Sequence, residues 1–329
     1  MKKIAKALLI LLIGGLTSVS AMDKTINIAH RGACAYLPEH TLQAKALAYN
    51  MDADYLEQDV VLTSDNVPIV IHDIHLDTVT DVATRFPERK RSDGRYYAID
   101  FTFAEIKTLK VHERIDLATG RAVFSGRFPL GKSEFMLSSL GEEIEMIQGL
   151  NHSTGRNIGI YPEIKEPEWH RNEGRDITAI VLKTLADYGY SNSSDNIFLQ
   201  CFDFAELKRI KNELKCELRL IQLIEEDCDI EAVAGYAYGI GPSISQIITG
   251  IDAKGQPIIS DLVARAHQAG LKVHPYTFRA DSLPASVSSE ALLKVLFEKV
   301  GIDGIFSDFP DITGKYLRVF NLKKSRPTD

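Results

Sequence analysis

The chain has 329 residues, 38 basic and 45 acidic groups and a formal net charge of −7, with 45% apolar residues. An acidic chain with no long basic run is a poor binder of nucleic acid or anionic membrane. Its apolar content is ample for a sizeable core, and no apolar run is long enough for a bilayer span.

The first 21 residues, MKKIAKALLILLIGGLTSVSA, place three lysines before a short apolar run and a small-residue end. That is the pattern of a secretory signal peptide. Cleavage after Ala21 removes Lys2, Lys3 and Lys6 and no acidic group, taking the net charge from −7 to −10. The expected mature chain, 22–329, is exported, with the periplasm its expected location and no stable membrane insertion. Its four cysteines, Cys34, Cys201, Cys216 and Cys228, form no CxxC or metal-knuckle spacing. Cys216 and Cys228 could bridge, and free thiols are the simpler reading.

From residue 26 short β-branched runs alternate with amphipathic stretches. The predicted strands are 26–32, 55–63, 158–165, 196–203, 218–224, 237–244, 271–278 and 303–309, and a return strand, 67–73, lies beside the second. Eight strands separated by helical patterns predict an α/β fold, a TIM (β/α)8 barrel in one domain. The rhythm breaks over about residues 76–145, which we read as a small insertion capping the barrel mouth. Its basic cluster, Arg85, Arg89, Lys90, Arg91 and Arg95, could draw an anionic substrate, although a solvated surface is the plainer account.

Reacting groups of such barrels sit at the C-terminal ends of the strands. His30 and Arg31 end the first predicted strand and His72 ends the return strand. Glu57 and Asp59 are two apart on one strand and share a face. Glu163 lies near the end of the next barrel strand, with Lys165 on the same face. Carboxylates buried together repel unless a cation or protons intervene. Three oxygen ligands suit a hard divalent ion, Ca²⁺ or Mg²⁺. Two histidines can move protons near neutral pH, and Arg31 and Lys165 suit an anionic phosphate. Metal-assisted displacement at phosphorus follows.

In order and spacing, AHRGA (29–33), PEHT (38–41), LEQDV (56–60), IVIHD (69–73), PEIK (162–165) and FSDFPD (306–311) resemble the glycerophosphodiester phosphodiesterases, closest to their exported bacterial branch. The resemblance implies a TIM barrel in which His30 and His72 are the acid–base pair, Glu57, Asp59 and Glu163 hold Ca²⁺ or Mg²⁺, and Arg31 and Lys165 hold the phosphate. Small glycerophosphodiesters such as glycerophosphocholine or glycerophosphoethanolamine would yield sn-glycerol 3-phosphate and an alcohol. Further pocket candidates are Glu39, Gln200, Phe202, Trp169 and Phe278. Glu39 and His40 are read as supports of the first loop, and His274 as a core residue. The competing readings are a phospholipase-D-like or phosphoinositide-lipase-like phosphodiesterase, which needs an apolar rim, and a surface binding protein on the same scaffold.

Overall fold

The computed structural model describes residues 24–324; the predicted signal peptide lies outside them. Among the described residues there are eleven strands: β1 (Ile26–Ala29), β2 (Tyr55–Leu62), β3 (Pro68–Val70), β4 (Gly159–Ile164), β5 (Phe198–Cys201), β6 (Arg219–Ile224), β7 (Gly239–Pro242), β8 (Ile248–Ile251), β9 (Pro257–Ile259), β10 (Lys272–Val273) and β11 (Gly304–Ser307). Eight of them run in the order β10-β7-β6-β5-β4-β2-β1-β11, and every pair along that path is parallel. Backbone hydrogen bonds from Asp303 N to Val273 O (3.0 Å), Phe306 N to Pro275 O (3.0 Å) and Phe278 N to Phe306 O (2.8 Å) join the two ends. The predicted barrel is thus present, and closure leaves no long edge exposed.

The return strand β3 pairs antiparallel with β2, and the bond from Ile71 N to Asp59 O (2.9 Å) carries the pairing one step further. That step lands His72 beside the end of β2. β1 stops three residues earlier than predicted because Arg31 is left-handed, with φ 56°, which no strand accommodates. The hairpin β8–β9 was not expected. Its turn is set by Asp252, whose carboxylate accepts from the backbone of Lys254 and Gln256 at 2.8 Å each.

Tyr55, Tyr161, Phe198 and Phe306 fill the barrel interior with Ile28 and Ile221. His274 joins this floor, bonded to the Tyr161 hydroxyl at 2.9 Å. The larger apolar cluster lies between strands and outer helices. The insertion has a separate core, in which Leu76, Tyr96, Phe101, Ile106 and Val111 pack on Val61, Ile69 and Ile71. Helix Leu140–Thr154, started by a Ser139–Glu142 capping box, begins inside the span predicted as insertion. Three of the five basic residues named for that cluster are held in ion pairs. Arg89 pairs with Glu105, Arg91 with Asp100 and Glu173, and Arg95 with Asp77. All four cysteines are free thiols.

Candidate active site

Strand register assembles the acidic layer. Asp59 on β2 lies opposite Glu163 on β4, and Glu163 opposite Gln200 on β5. Glu57, one alternation before Asp59, therefore shares its face. These four residues, with His30, Arg31, His72, Lys165 and Phe202, line one cleft of about 620 Å³ at the C-terminal ends of the strands. Nine of the twelve candidate residues are thus brought together.

Arg31 is central. Its left-handed backbone aims its amide at Glu57 Oε2, 2.5 Å away. Its guanidinium meets both Glu39 oxygens at 3.1 Å and lies 3.6 Å from Asp59. Lys165 Nζ is 2.7 Å from Glu163 and 3.6 Å from Asp59. Burial and the Asp59 charge push the Glu57 carboxyl well up, and burial pushes Glu163 up to about 8 although Lys165 opposes it. Burial also works on Asp59, yet Lys165, His72 and His40 together hold it well below the usual carboxylate range.

Two buried carboxyls that resist ionisation beside one that is held ionised would be relieved by a cation placed among them. Ligand atoms of Glu57, Asp59 and His40 lie within 4.8 Å of one another. The carboxylates of Glu57 and Asp59 fit a hard divalent ion, and the Glu163 carboxylate beside them is engaged by Lys165. His40 is a poor fourth ligand, since Nε2 is engaged by Asp59 at 2.7 Å and Nδ1 faces Lys45 at 3.3 Å.

Each histidine of the cleft has its Nδ1 on a carboxylate. His30 Nδ1 is 2.7 Å from Asp308 Oδ1, and His72 Nδ1 is 2.6 Å from Asp73 Oδ1. An ionised carboxylate only accepts, so Nδ1 carries the proton and Nε2 is the basic nitrogen left to the cleft. Burial and then Arg31 lower His30 to about 4, and the same two influences lower His72. Both rings are neutral at pH 7.

Gln200 is 1% exposed and its Oε1 has no hydrogen-bond partner, leaving an acceptor for a substrate hydroxyl. The other three candidates lie elsewhere. Glu39 is buried behind Arg31, where it also accepts from Arg114 at 2.7 Å. Phe278 is fully buried in the strand–helix core; the consecutive residues Tyr276 and Thr277 both line the cleft, so strand alternation is broken before residue 278. Trp169 is on the short helix Pro167–Asn172 and stacks on Tyr97 with centroids 5.5 Å apart. The cation near it is Arg91, 5.8 Å from its ring.

Sequence reasoning missed Asp73, Asp308, Arg114 and Arg127. Asp73 and Asp308 stood within the quoted motifs IVIHD and FSDFPD. The two arginines had no signal, because only the folded insertion brings them near. Cys34, beside Arg127, keeps its proton because burial pushes the thiol well up, in keeping with a packing role.

The arrangement can be set beside known proteins. A model of the glycerophosphoryl diester phosphodiesterase family matches residues 30–312. The glycerophosphodiester phosphodiesterase of Haemophilus influenzae is 44% identical over 329 residues, covering 90% of either chain. That of Treponema pallidum is 38% identical over 323 residues, 88% of this chain and 91% of the relative. The solved structure of an Oleispira antarctica phosphodiesterase with the product sn-glycerol 3-phosphate superposes with a TM-score of 0.62 at 20% identity, covering 88% of this chain and 96% of that one. The chain belongs to the glycerophosphoryl diester phosphodiesterase family and is an enzyme of that activity, a phosphoric diester hydrolase.

Proposed function

We propose that this enzyme hydrolyses small glycerophosphodiesters such as glycerophosphocholine and glycerophosphoethanolamine, releasing sn-glycerol 3-phosphate and the alcohol. In this reading it works outside the cytoplasm, in the periplasm, after removal of residues 1–21. The observation that carries the chemistry is the pairing of two neutral histidines, each with Nδ1 on a carboxylate, in one cleft with three buried carboxyls and two cations.

Arg31 and Lys165 bind the phosphate and orient it, the guanidinium as a planar fork and the ammonium as a point charge. Glu57, Asp59 and Glu163 hold the divalent ion, Ca²⁺ or Mg²⁺. When bound, the ion supplies charge neutralisation at the phosphoryl oxygens. One histidine takes the proton of the attacking hydroxyl at Nε2, and the other, protonated on Nε2 in the substrate complex, gives that proton to the departing alkoxide. One P–O bond forms as the other breaks; the displacement leaves the two rings with exchanged protonation states, and proton exchange with solvent restores them before the next turnover. Gln200 accepts from a glycerol hydroxyl through its free Oε1, and Phe202 walls the adjoining side. The Arg31 and Lys165 side chains are 13% and 11% exposed, so few waters compete for the charge.

The test is release of sn-glycerol 3-phosphate from glycerophosphocholine by the mature protein, first after chelation and then with Ca²⁺ or Mg²⁺ restored, with His72→Ala in parallel. Activity lost on chelation, restored by one ion and absent in the variant supports the reading. No turnover with either ion, from folded protein, overturns it.

A further inference from the structure

We propose that the insertion is a working part of the catalytic apparatus, in which Arg114 and Arg127 are positioning residues, each clamping the carboxylate that orients one of the two histidines. The inference rests on the reading of His30 and His72 as the proton-moving pair.

The two relays are built alike. From His30 Nδ1 the path runs to Asp308 Oδ1 at 2.7 Å, and the other oxygen, Oδ2, receives Arg127 Nη2 at 2.7 Å and Arg279 Nε at 3.0 Å. From His72 Nδ1 it runs to Asp73 Oδ1 at 2.6 Å, and Oδ2 receives Arg114 Nη1 at 2.6 Å and the Thr78 hydroxyl at 3.0 Å. In both, one carboxylate oxygen faces a histidine and the other an arginine of the insertion. A guanidinium cannot give up its proton near neutral pH, so each carboxylate stays ionised and its histidine keeps the Nδ1–H tautomer. A two-point grip also stops the carboxylate from rotating, which fixes the imidazole plane.

The arginines are themselves held. The Arg127 side chain is 4% exposed; it forks onto Asp281 at 2.9 and 3.2 Å and lies 3.7 Å from the centre of the Phe124 ring. Arg114 grips Glu39 at 2.7 and 3.2 Å, and Glu39 in turn grips Arg31. The insertion has its own apolar core, so these arginines are presented from a packed body. Orienting groups need such support to hold reacting atoms in place.

A staple that merely fastens the insertion to the barrel would use similar contacts, and coupling between the residues separates the two accounts. With Ca²⁺-loaded mature protein and glycerophosphocholine, Arg127→Met should lower kcat on the order of 10- to 100-fold with KM little changed. Arg127→Lys should recover part of the loss. Arg127→Met combined with Asp308→Asn should be no worse than Asp308→Asn alone, because both act through His30. Arg127→Met combined with Arg114→Met should lose activity multiplicatively, because they act on different rings. In proton–nitrogen NMR, the downfield Nδ1–H signal of His30 should shift or vanish in Arg127→Met while that of His72 stays. Should Arg127→Met fail to fold, Arg127→Lys, which keeps the charge and loses the fork, carries the same comparisons.

Unchanged kcat in a folded Arg127→Met protein overturns the proposal, as do multiplicative losses for Arg127 with Asp308 or an effect on KM alone. If the wild-type protein releases no sn-glycerol 3-phosphate but the His30 signal still responds to Arg127→Met, the relay stands and the reading of the chemistry falls.

Discussion

His40 Nε2 lies 2.7 Å from Asp59 Oδ2, with both side chains sealed from solvent, and Lys45 Nζ stands 3.3 Å from the other ring nitrogen. An ammonium only donates, so Nδ1 accepts and Nε2–H is donated to Asp59. Burial and then Lys45 lower His40 to about 3, so the ring is a neutral donor. Lys45 is itself fully buried, bonded to the Glu57 carbonyl and paired with Glu143 at 3.2 Å. The first loop and the outer helix layer thus fix the orientation of one carboxylate of the cleft.

Replacing His40 should therefore act on the carboxylates. His40→Ala removes the donor and puts a poor residue at φ 59°. We expect divalent-ion affinity to fall on the order of 10- to 100-fold. His40→Asn, which tolerates the left-handed region and keeps an amide donor, should recover most of it. Calorimetric titration of chelated protein with Ca²⁺ checks both.

Metal and pH should be linked through Glu57 and Glu163. Both have folded pKa values raised above the ordinary 4.5, Glu163 to about 8. Their protonated forms stabilise the metal-free fold fully below the unfolded value, and that contribution is lost as pH rises toward 8. A bound ion replaces those protons. Ca²⁺ or Mg²⁺ should therefore raise the melting temperature more at pH ~8 than at pH ~5, and binding should release protons at neutral pH. Equal shifts at the two pH values would count against carboxylate ligation.

The acid limb of activity should depend on metal concentration. At limiting ion it should fall off below about 8, where Glu163 takes up its proton. At saturating ion the limb should move below 6.5, because burial and Arg31 keep His30 neutral down to about 4 and lower His72 as well. Profiles of kcat/KM against pH at low and high Ca²⁺ test the shift; coincident profiles would refute it.

Gly32 should not tolerate a side chain. Its φ is 88°, and a Cβ would stand 2.9 Å from the Ala44 carbonyl carbon and 3.0 Å from Lys45 N, both backbone atoms of the first outer helix. Gly32→Ala should cost about 2 to 3 kcal/mol of stability. It should also weaken activity through its neighbour Arg31. Thermal melts and the release assay measure the two effects.

Much of this was legible in the sequence because it depends on local spacing. The i, i+2 placement of Glu57 and Asp59 on a strand dictates a shared face, whatever the rest of the chain does. Apolar runs separated by helical patterns dictate parallel strands, and nine of the candidate residues meet in the cleft those strands create. The β8–β9 hairpin escaped notice although Asp252 and Gly255 marked its turn, since its short strands are half exposed and carry no clear core face.

What the sequence determined by itself was the period: strand or helix, and which residues lie at strand ends. What only the tertiary structure decided was partnership across long separations. His30 meets Asp308 because β1 pairs with β11, and Arg127 reaches the same carboxylate because the insertion packs a second core on β2 and β3. Phe278 and Trp169 were misplaced for the same reason. An aromatic ring goes wherever apolar area or a stacking partner is available, and that is a property of the assembled layers.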